Sequence, residues 1–134
     1  MIAGVADTHT AIWYLFGDPR LSPQAKSFVD QAAANRQIVA ISPISLAEIV
    51  YLLEKKSRVP VSTLEDVQSA LANPRHVFKE APFNGEIVNA MQQIPREQIP
   101  DMPDRIVAAT AVYLGVPVIS CDGRIRASSI QTVW

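Results

Sequence analysis

Four acidic residues stand where a small α/β protein would direct side chains into one shared pocket. They are Asp7, Glu48, Asp104 and Asp122. Asp7 follows the apolar run Met1–Ala6 and Asp122 follows the run Val116–Cys121, whereas the other two fall in the opening turns of predicted helices. Two carboxylates about 5 Å apart repel each other by roughly 3 kcal/mol at an effective dielectric constant near 20. A pocket that gathers four of them is therefore predicted to hold a divalent metal ion.

The composition predicts one globular domain over residues 1–134, in which 49% of residues are hydrophobic and 19% are charged. No apolar stretch approaches the ~20 residues of a membrane span. Cys121 is the only cysteine, so no internal disulfide can form and a reducing, intracellular compartment is expected. The net charge of −1 argues against a tight, non-specific binder of nucleic acid, but not against a nuclease that binds its substrate transiently.

Short apolar runs alternate with helical patterns along the chain, which is typical of βα units and a mostly parallel sheet. The predicted strands are Met1–Ala6, Gln37–Ser42, His76–Glu80, Val116–Cys121 and a short edge strand, Gln131–Trp134. The predicted helices are Thr8–Phe16, Pro23–Asn35, Pro43–Lys56, one from Ser62 or Thr63 to Ala72, Asn84–Ile94, and one from Asp101 or Met102 to Tyr113. We expect the loop Pro95–Pro100 to be exposed and Asp122-Gly123 to turn the chain.

In an open parallel sheet, ligands bind beyond the carboxyl ends of the strands, where the strand order reverses. Asp7 and Asp122 would meet there if their strands are neighbours. Each acid also has a structural alternative. Asp122 could form a turn, Glu48 could form a capping box with Ser45, and acids early in a helix are favoured by the helix dipole. Of the pair that opens the last long helix, Asp104 is the better metal ligand and Asp101 the better cap or outer support.

With these residues in view, the chain resembles the PIN-domain proteins, and among them the VapC-type toxin ribonucleases of bacterial toxin–antitoxin pairs. The stretches that carry the resemblance are Val5-Ala6-Asp7-Thr8-His9, Ser45-Leu46-Ala47-Glu48-Ile49, Pro103-Asp104-Arg105-Ile106-Val107-Ala108-Ala109-Thr110-Ala111 and Val118-Ile119-Ser120-Cys121-Asp122. The similarity spans the whole chain and keeps the acids in the family's order. Two departures are Pro103, where relatives often have an aromatic residue, and Gly123-Arg124 after the last acid.

The resemblance implies a three-layer αβα fold around a parallel sheet of five strands in the order 3-2-1-4-5. In that order the strands that end at Asp7 and Asp122 are neighbours. The resemblance further implies a cytoplasmic, metal-dependent endoribonuclease that acts on RNA, forms a homodimer, and is neutralised by a small cognate antitoxin protein.

Oxygen ligands without a Cys or His cluster favour Mg²⁺ or Mn²⁺ over zinc. We expect Asp7 and Asp104 to hold the principal ion, with Asp122 bound directly or through water. Glu48 would position a water molecule or share a second ion. Two hydroxyl groups, those of Thr8 and Ser120, are candidates for hydrogen bonds to these carboxylates or to a bound water.

Candidate phosphate contacts are less evident in the sequence. Three arginines are predicted next to the site: Arg105, Arg124 and Arg126. Arg105 could instead pair with Asp101. The basic cluster Lys55–Arg58 favours a structural role because cations near a helix C-terminus are stabilised by the dipole. His9, at a helix start, is better explained as a local cap or surface group than as a general base.

Several other enzyme classes are disfavoured. A haloacid-dehalogenase-type phosphatase needs a second Asp two residues after the first, where this chain has His9. The turn after the first strand has no glycines, which excludes a Rossmann dinucleotide site, and no P-loop is present. Two alternatives stay open: a non-catalytic PIN-like module that binds RNA or protein, and a PIN-like nuclease for DNA cleavage or RNA maturation outside a toxin pair.

Overall fold

The computed structural model describes residues 1–134 and contains a five-stranded parallel sheet in the order β3-β2-β1-β4-β5. The strands are β1 (Ile2–Ala6), β2 (Ile38–Ile41), β3 (Phe78–Glu80), β4 (Val118–Ile119) and β5 (Thr132–Val133). All four pairings are parallel, and Val5 of β1 lies opposite Ala40 on one side and Val118 on the other. The predicted fold class and strand order are confirmed.

Seven helices accompany the sheet. They are α1 (Thr8–Phe16), α2 (Pro23–Ala34), α3 (Pro43–Glu54), α4 (Thr63–Ala72), α5 (Gly85–Met91), α6 (Met102–Leu114) and α7 (Gly123–Ala127). None of them combines the length and the apolar character that crossing a lipid bilayer would require.

The apolar core lies on both faces of the sheet, which produces the three αβα layers. Along β1, Val5 packs into a cluster with the buried faces of α5 and α6, and the next residue, Ala6, packs into a second cluster with α1 and α2. This alternation follows from the two-residue period of a strand. A third, smaller cluster joins Ile12 of α1 to Ile49 of α3 and Val67 of α4. The helices α1, α3 and α4 are thereby packed against one another.

Local signals in the sequence set most helix ends. Ser22 and Ser42 cap α2 and α3, and each side-chain oxygen accepts a hydrogen bond from a first-turn N–H group, at 3.1 and 3.2 Å. Gly17 and Gly115 end α1 and α6 in the left-handed conformation, with φ of 61° and 68°. The predicted boundaries of these helices are confirmed to within one or two residues.

The end of the chain differs from the prediction. β4 covers only Val118–Ile119, and the predicted turn at Asp122-Gly123 is instead the start of α7. The helix forms because the Asp122 side chain caps two N–H groups of its first turn and because Ile125 is fully buried against the core. A five-residue helix is too short to show a period in the sequence, which explains why this segment was predicted to be a turn.

Other elements are shorter than predicted. α3 ends at Glu54, and Lys56 reverses the chain with a positive φ of 54°. β3 begins at Phe78, and the ring of His76 accepts a hydrogen bond from the Phe78 N–H group at 3.0 Å. α5 ends at Met91. The following loop, predicted to be exposed, buries Ile99 completely.

Candidate active site

The four acidic residues that the sequence analysis singled out all line one cavity of about 270 Å³. It opens beyond the carboxyl ends of β1 and β4, where the winding direction of the sheet reverses. The other lining residues are Thr8, His9, Trp13, Arg20 and Cys121. The prediction that distant parts of the chain bring these carboxylates to one place is therefore confirmed by the geometry.

Asp7 is the most tightly held of the four acids, with an exposed fraction of 9%. It is the N-cap of α1, and its Oδ1 accepts the N–H of Thr10 at 3.0 Å. Its Oδ2 accepts a hydrogen bond from the hydroxyl of Ser120. The Asp7 N–H donates to the carbonyl of Ile119 at 3.2 Å, so backbone and side chain are both fixed to the end of β4.

Ser120 connects two of the acids. Its side chain is fully buried and donates to Asp7, and its oxygen accepts the N–H of Asp122 at 3.0 Å. This one hydroxyl therefore sets the orientation of the Asp7 carboxylate and the course of the backbone that leads to Asp122. The hydrogen bond expected between Ser120 and the carboxylates is present.

Glu48 lies in α3 and is oriented by α1. The Thr8 hydroxyl donates to Glu48 Oε1 at 2.5 Å and lies 2.9 Å from the Ser45 hydroxyl oxygen. Burial raises the pKa of Glu48, while the hydrogen bond from Thr8 acts in the opposite direction. The Ser45–Glu48 pair thus faces α1 and is not a capping box, because Ser42 is the N-cap of α3.

Asp104 is the most perturbed acid of the site. Asp101 is the N-cap of α6 and accepts the Asp104 N–H at 3.1 Å, so the cap role predicted for Asp101 is observed. Burial, followed by the charges of Asp101 and Asp122, raises the pKa of Asp104 to about 7. Its carboxyl group therefore carries a large part of the electrostatic cost of gathering acids together.

Asp122 begins α7 and also faces the cavity. Its Oδ1 accepts the N–H groups of Arg124 and Ile125 at 2.9 and 3.0 Å, which makes it the N-cap of α7. It also lines the cavity. Its Oδ2 accepts no hydrogen bond from the protein, and this oxygen is available to a ligand.

The donor set suits a hard divalent cation, although no three of the carboxylate, histidine or cysteine groups are arranged to hold an ion as they stand. Hydrogen bonds hold Asp7, Glu48 and Asp122 along different walls of the cavity. Glu48 and Asp122 each keep one oxygen without a protein donor, and Asp104 keeps both. These oxygens are the kind that Mg²⁺ and Mn²⁺ prefer. Metal binding stays a prediction, and it requires side-chain rotations within the cavity.

The three arginines predicted as phosphate contacts are placed differently from one another. Arg105 does not line the cavity, because its Nη2 donates to the backbone carbonyls of Met91 and Ile94 at 2.9 and 2.8 Å. Its buried Nε has no partner, and no ion pair with an acid forms. Arg105 therefore anchors the end of α5 to α6, which corrects the expectation for this residue. Arg124 and Arg126 lie exposed on α7, outside the cavity lining.

Arg20 also lines the cavity, a placement that was not predicted from the sequence. Both Nε and Nη2 of Arg20 donate to the carboxylate of Asp18, at 3.0 and 2.7 Å. The guanidinium carbon lies 5.0 Å from the ring centroid of Trp13. The signal in the sequence was the Gly17 helix stop followed by Asp18-Pro19-Arg20, a turn that returns the chain to α1. His9 is exposed, with its ring centroid 5.6 Å from that of Trp13, which fits a surface group.

Replacing Asp104 with Asn should stabilise the metal-free protein in a pH-dependent way. The raised pKa means that the folded state keeps its proton at pH values where the unfolded chain has lost it, so wild-type stability falls between about pH 4 and pH 7. Asn removes this penalty. Because Asp104 is only half-buried, solvent screening reduces the expected gain to roughly 1–2 kcal/mol above pH 7, with no gain below pH 4.

The measurement is urea denaturation in EDTA at several pH values. Glu97→Gln, which changes an exposed acid in the loop before α6, is the control. If the free energies of unfolding of Asp104→Asn and wild type differed by the same amount at every pH, the raised pKa of this carboxyl group would not be the source of the difference.

Comparison with solved structures supports the same fold. The crystal structure of VapBC2 from Rickettsia felis bound to a DNA fragment from their promoter superposes with a TM-score of 0.70 at 16% identity, over 98% of this chain and 97% of that chain. DNA-bound VapBC from Salmonella typhimurium gives a TM-score of 0.69 at 20% identity, over 98% and 97%. FitAcB from Neisseria gonorrhoeae gives 0.53 at 20% identity, over 96% and 95%.

At these identities the structural similarity establishes the fold alone. A comparison with curated protein sequences found no match. A family model described as the PIN domain, however, matches residues 5–129. That range contains all four acids of the cavity, and the chain belongs to the PIN domain family.

Proposed function

We propose that this protein is a divalent-metal-dependent endoribonuclease that acts as the toxin of a toxin–antitoxin pair. The observation that carries the proposal is the joint placement of Asp7, Glu48, Asp104 and Asp122 in one cavity of a PIN-domain chain. No acid of the set is replaced, which favours a nuclease over a binding module that has lost its chemistry. The resemblance to VapC-type proteins supports RNA as the substrate and a toxin as the biological role.

Each side chain has a distinct part in the proposed hydrolysis. Asp7 and Asp104 would hold the principal Mg²⁺ or Mn²⁺ ion, with Asp122 bound directly or through water. Such an ion supplies positive charge to the scissile phosphate and lowers the pKa of water. Glu48 orients the attacking water and accepts its proton, and burial suits it to that task by raising its pKa.

The surrounding hydroxyl groups fix the acids in place. Thr8 donates to Glu48, and Ser120 donates to Asp7, so each hydroxyl limits the rotation of one carboxylate. Both hydroxyl groups come from buried residues, Thr8 at the start of α1 and Ser120 directly after β4. Mutation of groups that hold metal ligands in this way typically lowers metal affinity or activity by about 10–100-fold.

Cleavage of RNA should require a divalent ion and the Asp7 carboxylate. We expect the purified protein to degrade single-stranded RNA in Mg²⁺ or Mn²⁺ and not in EDTA. Asp7→Asn should lower the rate roughly 100-fold or more while the protein stays folded, because a neutral amide is a much poorer metal ligand. The measurement is gel analysis of labelled RNA with mapping of the cut ends.

Asp66→Asn, which removes an exposed carboxylate from α4, is the control and should cleave like wild type. Full activity of Asp7→Asn would defeat the assignment of the site. RNA binding by wild type without cleavage would favour a non-catalytic module, and cleavage of DNA in preference to RNA would favour a nuclease outside a toxin pair.

Ser120→Ala should lower activity without removing any metal ligand. The buried hydroxyl holds Asp7 Oδ2, and the loss of such a second-layer contact typically costs about 10–100-fold in activity or metal affinity. Added Mn²⁺ should partly restore the rate, since the ligands themselves are intact. The measurement is initial rate against Mn²⁺ concentration, with Ser69→Ala, an exposed serine on α4, as the control. An unchanged metal requirement in Ser120→Ala would argue against this role.

The proposed partner is a small cognate antitoxin, and the proposed assembly of the toxin itself is a homodimer in the cytoplasm. Two of the similar structures are VapBC complexes bound to DNA, which supports an antitoxin partner. We expect the product of a short reading frame next to this gene to co-purify with the chain and to abolish RNA cleavage when added. Light scattering would report the stoichiometry. A neighbouring product that neither binds nor inhibits would remove the toxin assignment and leave the nuclease assignment standing.

A further inference from the structure

We propose that Arg20 binds a backbone phosphate of a single-stranded RNA at the rim of the acidic cavity, and that Asp18 and Trp13 hold its guanidinium ready for that contact. This inference rests on the proposed function, because it identifies how that site would hold its substrate. Arg20 is the only arginine or lysine among the residues that line the cavity. A polyanion that reaches the four acids therefore passes one fixed cation.

The geometry leaves the outer edge of the guanidinium free. Asp18 accepts hydrogen bonds from Nε and Nη2 of Arg20, and also from its backbone N–H at 2.9 Å. The guanidinium group has five N–H donors, so the two N–H groups of Nη1 and one of Nη2 stay without a protein partner. One N–H of Nη1 and the free N–H of Nη2 share the outer edge of the planar fork, and this pair matches two oxygens of a phosphate.

The indole ring of Trp13 lies against one face of the guanidinium. The guanidinium carbon lies 5.0 Å from the Trp13 ring centroid, and Trp13 is itself packed against Trp134, with ring centroids 5.9 Å apart. An arginine that is clamped in its plane by a carboxylate and on its face by an indole has few rotamers to lose on binding. The side chain is nevertheless 58% exposed, so a phosphate can reach the free edge.

The ion pair with Asp18 has little value as a stabilising contact. It joins residues two apart in an exposed turn, and such pairs contribute little to stability. The main consequence of this ion pair is that it fixes the orientation of the Arg20 guanidinium. The other arginines near the site lack this combination, because Arg105 is bound to backbone carbonyls and Arg124 and Arg126 lie outside the cavity lining.

The first test measures RNA binding by fluorescence anisotropy in Mg²⁺, with all variants made in the inactive Asp7→Asn protein and titrated at several KCl concentrations. Arg20→Gln should weaken binding of a labelled single-stranded RNA by about 10-fold, the size expected for one charged hydrogen-bonded contact. It should also reduce the slope of log affinity against log salt by about 0.7, the contribution of one phosphate contact to a single strand.

The matched control is Arg75→Gln. Arg75 is exposed and precedes β3, so it lies at the amino ends of the parallel strands, opposite the cavity. The Arg75→Gln substitution makes the same change in net charge as Arg20→Gln, and it should alter neither the affinity for RNA nor the salt slope. Arg20→Lys keeps the positive charge but loses the planar, forked guanidinium, and we expect it to lower the affinity for RNA by about 3-fold.

The second test uses the otherwise wild-type enzyme. Arg20→Gln should raise KM for RNA about 10-fold and leave kcat within about 3-fold, since the contact lies beside the scissile bond and is present in both ground and transition states. Thermal melts of each variant check folding. If Arg20→Gln unfolds, Arg20→Lys carries the test through its KM and salt slope.

An affinity, salt slope and KM in Arg20→Gln equal to those of Arg75→Gln would overturn the inference while the nuclease assignment survived. Failure of the wild-type protein to cleave RNA in any divalent ion would overturn the proposed function, and this inference with it. The wild-type reaction alone therefore shows which of the two proposals has failed.

Discussion

The parallel pairing of β1 with β4 is the interaction on which the acidic cavity depends. Val5 lies opposite Val118 and Ala6 opposite Ile119, and paired strands are only about 4.8 Å apart. The residues that follow the two strands are therefore neighbours, although more than a hundred residues separate them along the chain. The hydrogen bond from Ser120 to Asp7 completes the connection beyond the last backbone pair. Without this pairing the acids at the two strand ends would not share a site.

The same arrangement creates an electrostatic conflict that the fold has to absorb. Four acids face one cavity, and the cost is concentrated on Asp104, where burial and the neighbouring charges raise the pKa to about 7. The other acids are held by N–H or hydroxyl donors, and those bonds offset part of the cost of keeping the carboxylates in place. Strain of this kind is common at functional sites, where groups are positioned for a ligand and not for the stability of the free protein.

The cavity also shows how one residue type serves opposite purposes in one small protein. Arg105 uses its guanidinium to hold two backbone carbonyls at the end of α5, so it contributes to the fold. Arg20 is held by Asp18 in an exposed turn, lines the cavity, and keeps one edge of its guanidinium without a protein partner. Both residues follow an aspartate closely in the sequence, and the pattern alone does not separate them. What separates them is which donors are already bound.

Several elements can be predicted from the sequence because their causes are local. Cap-plus-proline pairs at Ser22 and Ser42 begin two helices, Gly17 and Gly115 end two others, and an acid follows each of two apolar strands. Three other features depend on the tertiary structure. Asp122 begins a helix because Ile125 is buried in the core. Arg105 binds backbone carbonyls outside the cavity lining, whereas Arg20 lines the cavity. These outcomes depend on contacts between residues far apart in sequence, and no local pattern of residue types records such contacts.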